Sequence, residues 1–120
     1  MRPQSAKSKG RRLQQEVRDA VLATFPSLEP DDVRSTSMGA SGADLLLSPA
    51  ARRLFPFSVE CKNVESLNIH KALAQAKAGA VPNTTPIVVF RKNGTLPSVA
   101  LPFHVFLHIV RTYPWWTERG

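Results

Sequence analysis

Three residues in one stretch have the side-chain types and the spacing for metal-assisted hydrolysis. Asp44 precedes an apolar run, and a second run ends in Glu60-Cys61-Lys62. Because side chains alternate between the two faces of a strand, Glu60 and Lys62 point to one face and Cys61 to the other. If the two runs pair as a hairpin, Asp44 and Glu60 converge at one end of it. Two convergent carboxylates beside a lysine can hold a hard divalent cation and position a phosphodiester against water.

Each of these residues also has a simpler structural explanation. Asp44 can be an aspartate at the start of a strand, satisfied by backbone amides. Glu60 and Lys62 can form a surface salt bridge, worth about 0–1 kcal/mol. Cys61 is expected to be a buried strand residue, with its side chain pointing away from the acids. The hypothesis of a metal site therefore depends on the elements and the charge around these residues.

The charge balance of the chain favours a polyanionic partner. Its 120 residues include 16 Lys+Arg and nine Asp+Glu, a formal net charge of +7. Such an excess on a small domain is typical of nucleic-acid binding. An anionic membrane surface is the alternative, but the basic residues do not fall on one amphipathic helix with an apolar face. No apolar run approaches the length of about 20 residues needed to cross a bilayer, so no membrane association is expected.

Cysteine and histidine usage bounds the compartment and the chemistry. A lone cysteine excludes an intramolecular disulfide and fits a reducing, cytoplasmic compartment. The basic N-terminus is not followed by an apolar segment, so no secretory signal is expected. His104 and His108 are four residues apart and could share a metal, but no third ligand is near in sequence, which favours packing or surface roles.

Periodicity and turn residues predict one α/β domain. Residues 1–10 are polar and basic and are predicted to form a flexible arm, either solvated or in contact with phosphate, and residues 11–120 to form the domain. The predicted elements are a helix at 11–25, a short strand at 33–38, strands at 43–47 and 54–63 joined by a turn at 48–53, a helix ending at Gly79, strands at 87–90 and 99–101, and a helix at 103–113. This order predicts a central mixed β-sheet flanked by helices.

With these elements placed, the chain resembles the PD-(D/E)XK nuclease superfamily, whose core is helix-strand-strand-strand-helix-strand, as in restriction endonucleases. Asp44 and the triplet Glu60-Cys61-Lys62 match the superfamily's motif on the second and third strands. Glu16 matches a glutamate on the preceding helix, and Gln75 a glutamine on the helix after the triplet. Ala43 stands where the motif has proline. From about residue 8 to 110, the chain is most similar to the small archaeal-type and phage Holliday junction resolvases, which share its length and basic N-terminus.

The resemblance implies a Mg²⁺ site, in which Mn²⁺ would substitute. Asp44, Glu60 and the backbone carbonyl of Cys61 would bind the ion, and Glu16 would hold it or a second ion through water. Lys62 would orient the attacking water or stabilise the transition state. Gln75, together with Lys71, would contact the water or the scissile phosphate. Further contacts to nucleic acid are expected from basic and hydroxyl residues, namely Lys7, Lys9, Arg11, Arg12, Arg34, Ser35, Ser37, Ser41 and Lys71.

The function implied is that of a metal-dependent DNA endonuclease, a Holliday junction resolvase acting on four-way DNA in the cytoplasm of a bacterial, archaeal or phage-infected host cell. Symmetric cutting of two strands needs two sites in fixed relation, which implies a homodimer. Another nuclease of the same fold, of nicking, repair or restriction-like type, is an alternative. So is a non-catalytic nucleic-acid-binding domain. Trp115 and Trp116 could stack on bases, close the core or line a dimer interface.

Overall fold

The computed structural model describes residues 6–36 and 42–112 and shows an α/β fold. A 3-10 turn at Pro30–Asp32 precedes the first strand. The helices and strands in chain order are α1 (Ala6–Thr24), β1 (Val33–Ser35), β2 (Leu45–Leu47), α2 (Pro49–Leu54), β3 (Phe57–Asn63), α3 (Ile69–Ala78), β4 (Thr85–Arg91), β5 (Ser98–Ala100) and α4 (Phe103–Thr112).

The strands form two small sheets. In the larger, mixed sheet, β4 lies between β3, to which it is parallel, and β5, to which it is antiparallel. β1 and β2 form a separate antiparallel pair. The predicted α/β class and mixed sheet are confirmed.

The predicted hairpin between β2 and β3 is wrong. Residues 48–53, predicted to form a turn, lie almost entirely in α2, because Ser48 accepts a hydrogen bond from the Ala51 N–H and Pro49 occupies the first helical turn. Ser at the N-cap, Pro at the first position and alanines after it are strong helix-start signals. β2 therefore pairs with β1, and β3 with β4.

Helix α1 begins at Ala6, five residues before the predicted start. Residues 6–10 are therefore helical and not part of a flexible arm, which corrects that boundary; residues 1–5 lie outside the described ranges. Alanine and lysine are good helix formers, and Gly10 costs only about 1 kcal/mol relative to alanine. The side chain of Asn63 also donates to the carbonyl of Lys9 at 3.4 Å, which fixes this end of α1 beside β3.

Apolar side chains pack on both faces of the mixed sheet. Val59 and Cys61 of β3 belong to the main core cluster with Leu13 and Val17 of α1. Val88 of β4 packs on the opposite face against two alanines of α3. Because partners in paired strands share a face, and Glu60 pairs with Val88, the side chains of Glu60 and Lys62 lie on the α3 face. None of the helices in the described part of the chain is long and apolar enough to span a membrane.

Candidate metal centre

Asp44 lies at the junction of the two sheets. Its N–H donates to the carbonyl of Val59 at 2.8 Å, and its own carbonyl accepts from the N–H of Thr36 at 2.9 Å. Its side-chain Oδ2 accepts from the N–H of Cys61 at 2.6 Å. These bonds hold the Asp44 carboxylate against the strand that carries Glu60, so the two acids approach each other without a hairpin.

Two glycines set the path of the chain into Asp44. Gly42 has φ +93°, a left-handed conformation that side chains rarely adopt, with open space where a Cβ would lie. Gly79, at the C-terminal cap of α3, packs directly on it. A Cβ on Gly79 would lie 2.9 Å from the carbonyl carbon of Gly42, closer than van der Waals contact allows. Glycine at both positions brings the end of α3 against the segment that carries Asp44.

Glu60 and Lys62 form the ion pair that their same-face spacing suggested. Lys62 Nζ lies 3.5 Å from Glu60 Oε2. The Glu60 side chain is only 15% exposed and that of Lys62 28% exposed, so this is not the solvated surface pair of the simpler explanation. A carboxylate held this far from solvent, with a second carboxylate nearby, needs more compensation than one lysine supplies.

Burial disfavours the ionised forms of both carboxylates, Asp44 and Glu60. Burial raises the pKa of Asp44, and the Cys61 N–H and the Lys62 ammonium oppose that shift. Burial also raises the pKa of Glu60; the negative charge of Asp44 adds to the effect, and Lys62 again opposes it. The charge of Asp44 therefore disfavours the ionised form of Glu60, whereas burial is the cause of the raised pKa of Asp44. A bound cation would reverse this balance.

The donor set fits a hard cation such as Mg²⁺ or Mn²⁺. Within residues 6–36 and 42–112, no group of three or more His, Cys, Asp or Glu side chains could hold a metal ion. Mg²⁺ needs only one or two carboxylates and keeps several waters, so Asp44 and Glu60, with the Cys61 carbonyl that the resemblance implies, would be a sufficient protein contribution. The Cys61 thiol is buried on the α1 face, and burial, followed by the two acids, raises its pKa. It is therefore a packed side chain and not a thiolate ligand.

Glu16 does not join this cluster by any contact among the described residues. Both of its carboxylate oxygens accept from Arg91 Nη1, at 2.9 and 2.7 Å. Arg91 is the last residue of β4 and pairs in register with Asn63. The structure therefore pairs Glu16 with a basic residue of the sheet, and its role as a metal-holding residue stays a prediction.

Gln75 and Lys71 lie on α3, one helical turn apart, and both are exposed. The Gly79 N–H donates to the Gln75 carbonyl at 3.0 Å, so Gln75 lies one turn before the contact with Gly42. This places Gln75 on the helix that covers the Glu60 face of the sheet, close along the chain to the point where α3 meets the Asp44 segment. Its role as a site residue stays a prediction.

The residues predicted to bind nucleic acid fall in three places. Lys7, Lys9, Arg11 and Arg12 lie on the first turns of α1, beside the end of β3 where Lys62 is located. Arg34 is exposed on β1, where it lines a polar cavity of about 420 Å³ with Ser35. The third place is α3, which carries Lys71. Ser37 and Ser41 lie outside the described residues, as do Trp115 and Trp116.

His104 and His108 are both exposed on α4. No metal-binding group of three or more His, Cys, Asp or Glu side chains includes them in the described ranges. The structure thus gives the two histidines surface positions, as the sequence favoured.

Two buried polar oxygens, one on α1 and one on β3, were not predicted. Gln14 is only 3% exposed, and its Oε1 has no hydrogen-bond partner among the described residues. The Oδ1 of Asn63 is also buried without a partner there. One signal was available in the sequence: Gln14 precedes Val17 by three residues and Val21 by seven, so it falls on the apolar stripe of α1. A polar residue on such a stripe needs a partner.

Comparisons of the chain with family models, with curated proteins and with solved structures found no match.

Proposed function

We propose that this protein is a metal-dependent DNA endonuclease of the PD-(D/E)XK type. The observation that carries the proposal is the 2.6 Å hydrogen bond from the Cys61 N–H to Asp44 Oδ2. It joins the aspartate to the Glu60-Cys61-Lys62 strand, so that one bonded unit supplies two carboxylates, the ligand type that a hard divalent cation prefers.

The reaction proposed is hydrolysis of a phosphodiester bond. Bound Mg²⁺ would lower the pKa of a water ligand and neutralise charge on the phosphate. Asp44 and Glu60 would hold the ion, and the Lys62 ammonium would orient the water or stabilise the transition state. Lys62 is suited to this because its Nζ lies 3.5 Å from Glu60, on the same face of β3. Gln75 and Lys71 would contact the scissile phosphate from α3.

The charge distribution supports a nucleic-acid substrate. The first turns of α1 carry four basic residues and lie beside the end of β3, one residue beyond Lys62. With a net charge of +7, the protein attracts phosphate from a distance, and this cluster would draw the backbone towards the acids. DNA binding is therefore expected to weaken steeply with salt.

We propose further that the protein acts in the cytoplasm as a homodimer on four-way DNA junctions. An exposed apolar helix face supports the dimer: α4 carries three large hydrophobic side chains at helical spacing with 47–73% of their area exposed, namely Phe103, Phe106 and Leu107. Such a surface is typical of an interaction site. If two copies meet through it about a two-fold axis, the two candidate sites acquire the fixed relation that paired cuts need.

The central experiment compares Mg²⁺-dependent cleavage of a four-way junction and of a linear duplex of the same sequence. Asp44→Asn and Lys62→Met should each abolish cleavage, whereas the matched surface variants Asp31→Asn and Lys92→Met should cut like the parent. Asp31 and Lys92 are exposed and lie outside the site. Equal cutting by Asp44→Asn and the parent would refute the nuclease proposal.

The substrate comparison separates the remaining alternatives. Paired, symmetric nicks on the junction alone support a resolvase, and cutting of linear duplex points to a nicking, repair or restriction-like enzyme. DNA binding without cleavage in Mg²⁺ or Mn²⁺ would support the non-catalytic alternative, which has one observation in its favour: Glu60 and Glu16 each already have a basic partner.

A further inference from the structure

The buried oxygen of Gln14 requires an explanation. The residue is 97% removed from solvent, and Oε1 accepts no hydrogen bond from the described protein atoms. A buried polar atom left without a partner costs about 1–3 kcal/mol, so such atoms in folded proteins usually face water or an ion. The surroundings of Gln14 show which site this oxygen can serve.

On one side, α1 packs against β1 with a defined direction. Arg18 Nε donates to the carbonyl of Val33, the first residue of β1, at 2.8 Å. Gln15 and Arg18 line the same polar cavity as Ser35, the last residue of β1. Residues nearer the N-terminus of α1 therefore lie nearer the last residue of β1. Gln14, one turn before Arg18, lies level with that end.

On the other side, α1 packs against β3. The Asn63 side chain donates to the Lys9 carbonyl, and Leu13 shares a core cluster with Cys61. The part of α1 that follows Lys9 therefore passes over Cys61. The N–H of Cys61 donates to Asp44 Oδ2, so this part of α1 also passes the candidate metal centre.

The end of β1 and the middle of β3 are joined by Asp44 itself. Its carbonyl accepts from Thr36, the residue after β1, and its N–H donates to Val59 of β3. Gln14 is thus buried on the helix turn that spans the two strands between which Asp44 is held. Glu16 is two residues further along, about 200° around the helix, and is engaged by Arg91 on β4.

We infer that Gln14, not Glu16, is the residue through which α1 contributes to the metal centre: its Oε1 accepts a hydrogen bond from a water bound to the cation held by Asp44 and Glu60. This inference rests on the proposed function. An amide oxygen is a good partner for the waters of a hard cation, and it is neutral. Gln14 therefore completes the site without adding a third negative charge beside two partly buried carboxylates.

The role assigned to Gln14 is that of a positioning residue, because it acts through water. Residues of this kind typically contribute 10–100-fold to metal affinity. Calorimetric titration with Mn²⁺ alone, without DNA, measures the effect directly. Gln14→Met should weaken Mn²⁺ binding about ten-fold, and Gln14→Glu should tighten it, because a carboxylate accepts the same bond and attracts the ion.

Gln15 provides matched controls because it is adjacent, of the same type and exposed. Gln15→Met and Gln15→Glu should bind Mn²⁺ like the parent. If Gln15→Glu tightens binding as much as Gln14→Glu, the effect is long-range attraction and the inference is wrong. It is equally wrong if Gln14→Met and the parent have the same affinity.

Thermal unfolding in EDTA separates a metal role from a structural one. Removal of an unpartnered buried oxygen should leave Gln14→Met at least as stable as the parent without metal. With Mn²⁺ present, the metal-induced rise in Tm should be smaller for Gln14→Met than for the parent. Asp44→Asn distinguishes the two proposals. If neither the parent nor Asp44→Asn binds Mn²⁺, the proposed function fails. If Asp44→Asn loses Mn²⁺ binding but neither Gln14 variant changes it, only the inference is overturned.

Discussion

Gly79 and Gly42 contact each other through their backbones. A Cβ at Gly79 would lie 2.9, 3.1 and 3.1 Å from three backbone atoms of Gly42, two residues before Asp44. This contact therefore affects both the packing of α3 and the position of Asp44, a candidate metal ligand. No flexible side chain lies at this contact that could move aside, so any added atom must displace the chain.

Gly79→Ala should therefore damage the site more than the fold. The methyl group would displace the Gly42 backbone and move Asp44, and a misplacement of about 1 Å can cost about 100-fold in rate. We expect cleavage to fall by at least ten-fold and the free energy of unfolding by about 1–3 kcal/mol. Chemical denaturation and cleavage kinetics on the same sample measure both. Ala78→Ser, at the exposed preceding residue, is the control; cleavage by Gly79→Ala at the parental rate would contradict the prediction.

The raised pKa of Asp44 predicts the pH dependence of stability without metal. Burial raises this pKa above its ordinary 3.8, so the folded state holds the proton more tightly than the unfolded state. The stabilisation is fully present below about pH 3.8 and is lost as pH rises through the folded pKa. Compared with Asp44→Asn, which retains an acceptor for the Cys61 N–H, the parent should lose unfolding free energy across this window. Denaturant titrations of both proteins from pH 3.5 to 7 in EDTA test the sign. A relative gain by the parent would show that the pKa is lowered.

The ion pair of Glu16 with Arg91 should appear in stability. Arg91 is 13% exposed and Glu16 47% exposed, so screening limits the coupling to about 0.5–1 kcal/mol. A double-mutant cycle with Glu16→Gln and Arg91→Met measures it, provided that unfolding remains two-state. Titration of Glu16→Gln with Mn²⁺ adds an independent measurement. A greater loss of affinity there than in Gln14→Met would return Glu16 to the metal centre, as the sequence suggested.

The exposed apolar face of α4 should control oligomerisation. Phe103 is 73% exposed, and a charge at this position would oppose burial against a second copy. Phe103→Glu should shift the protein from dimer to monomer in sedimentation velocity and abolish paired nicking, with Tm changed little. Leu54→Glu places the same charge at an exposed leucine of α2, outside this surface, and should leave the dimer intact. A parent protein that is monomeric at 100 µM would exclude the proposed dimer.

The local parts of the structure were predictable, and the long-range parts were not. Strand alternation correctly placed Glu60 and Lys62 on one face and Cys61 on the other, because that depends only on backbone geometry. Gly79 caps α3 as predicted. The partner of β2 depends instead on contacts far apart in sequence, and proximity along the chain favoured a hairpin that did not form.

The helix residue that we infer to serve the site was missed for a related reason. Hydrophobic periodicity predicts the apolar stripe of α1. It does not predict which strand packs against each side of that stripe. Glu16 was chosen because it matches the superfamily's helix glutamate, yet its side of the helix meets Arg91 on β4. Gln14 is a neutral amide, and the superfamily's motif predicts a glutamate on this helix. Burial, which the sequence does not report, marks it as a candidate.

Asp44 also has a mechanical consequence for the molecule. In the described part of the chain, Asp44 links the β1-β2 pair with β3: its carbonyl accepts from Thr36, its N–H donates to Val59, and its side chain accepts from the N–H of Cys61. A cation bound by Asp44 would therefore hold two otherwise separate sheets together. The amide protons of Thr36, Asp44 and Cys61 should then exchange with solvent more slowly when metal is bound. Hydrogen exchange at these three amides would report both the occupancy of the site and the stability of the contact between the two sheets.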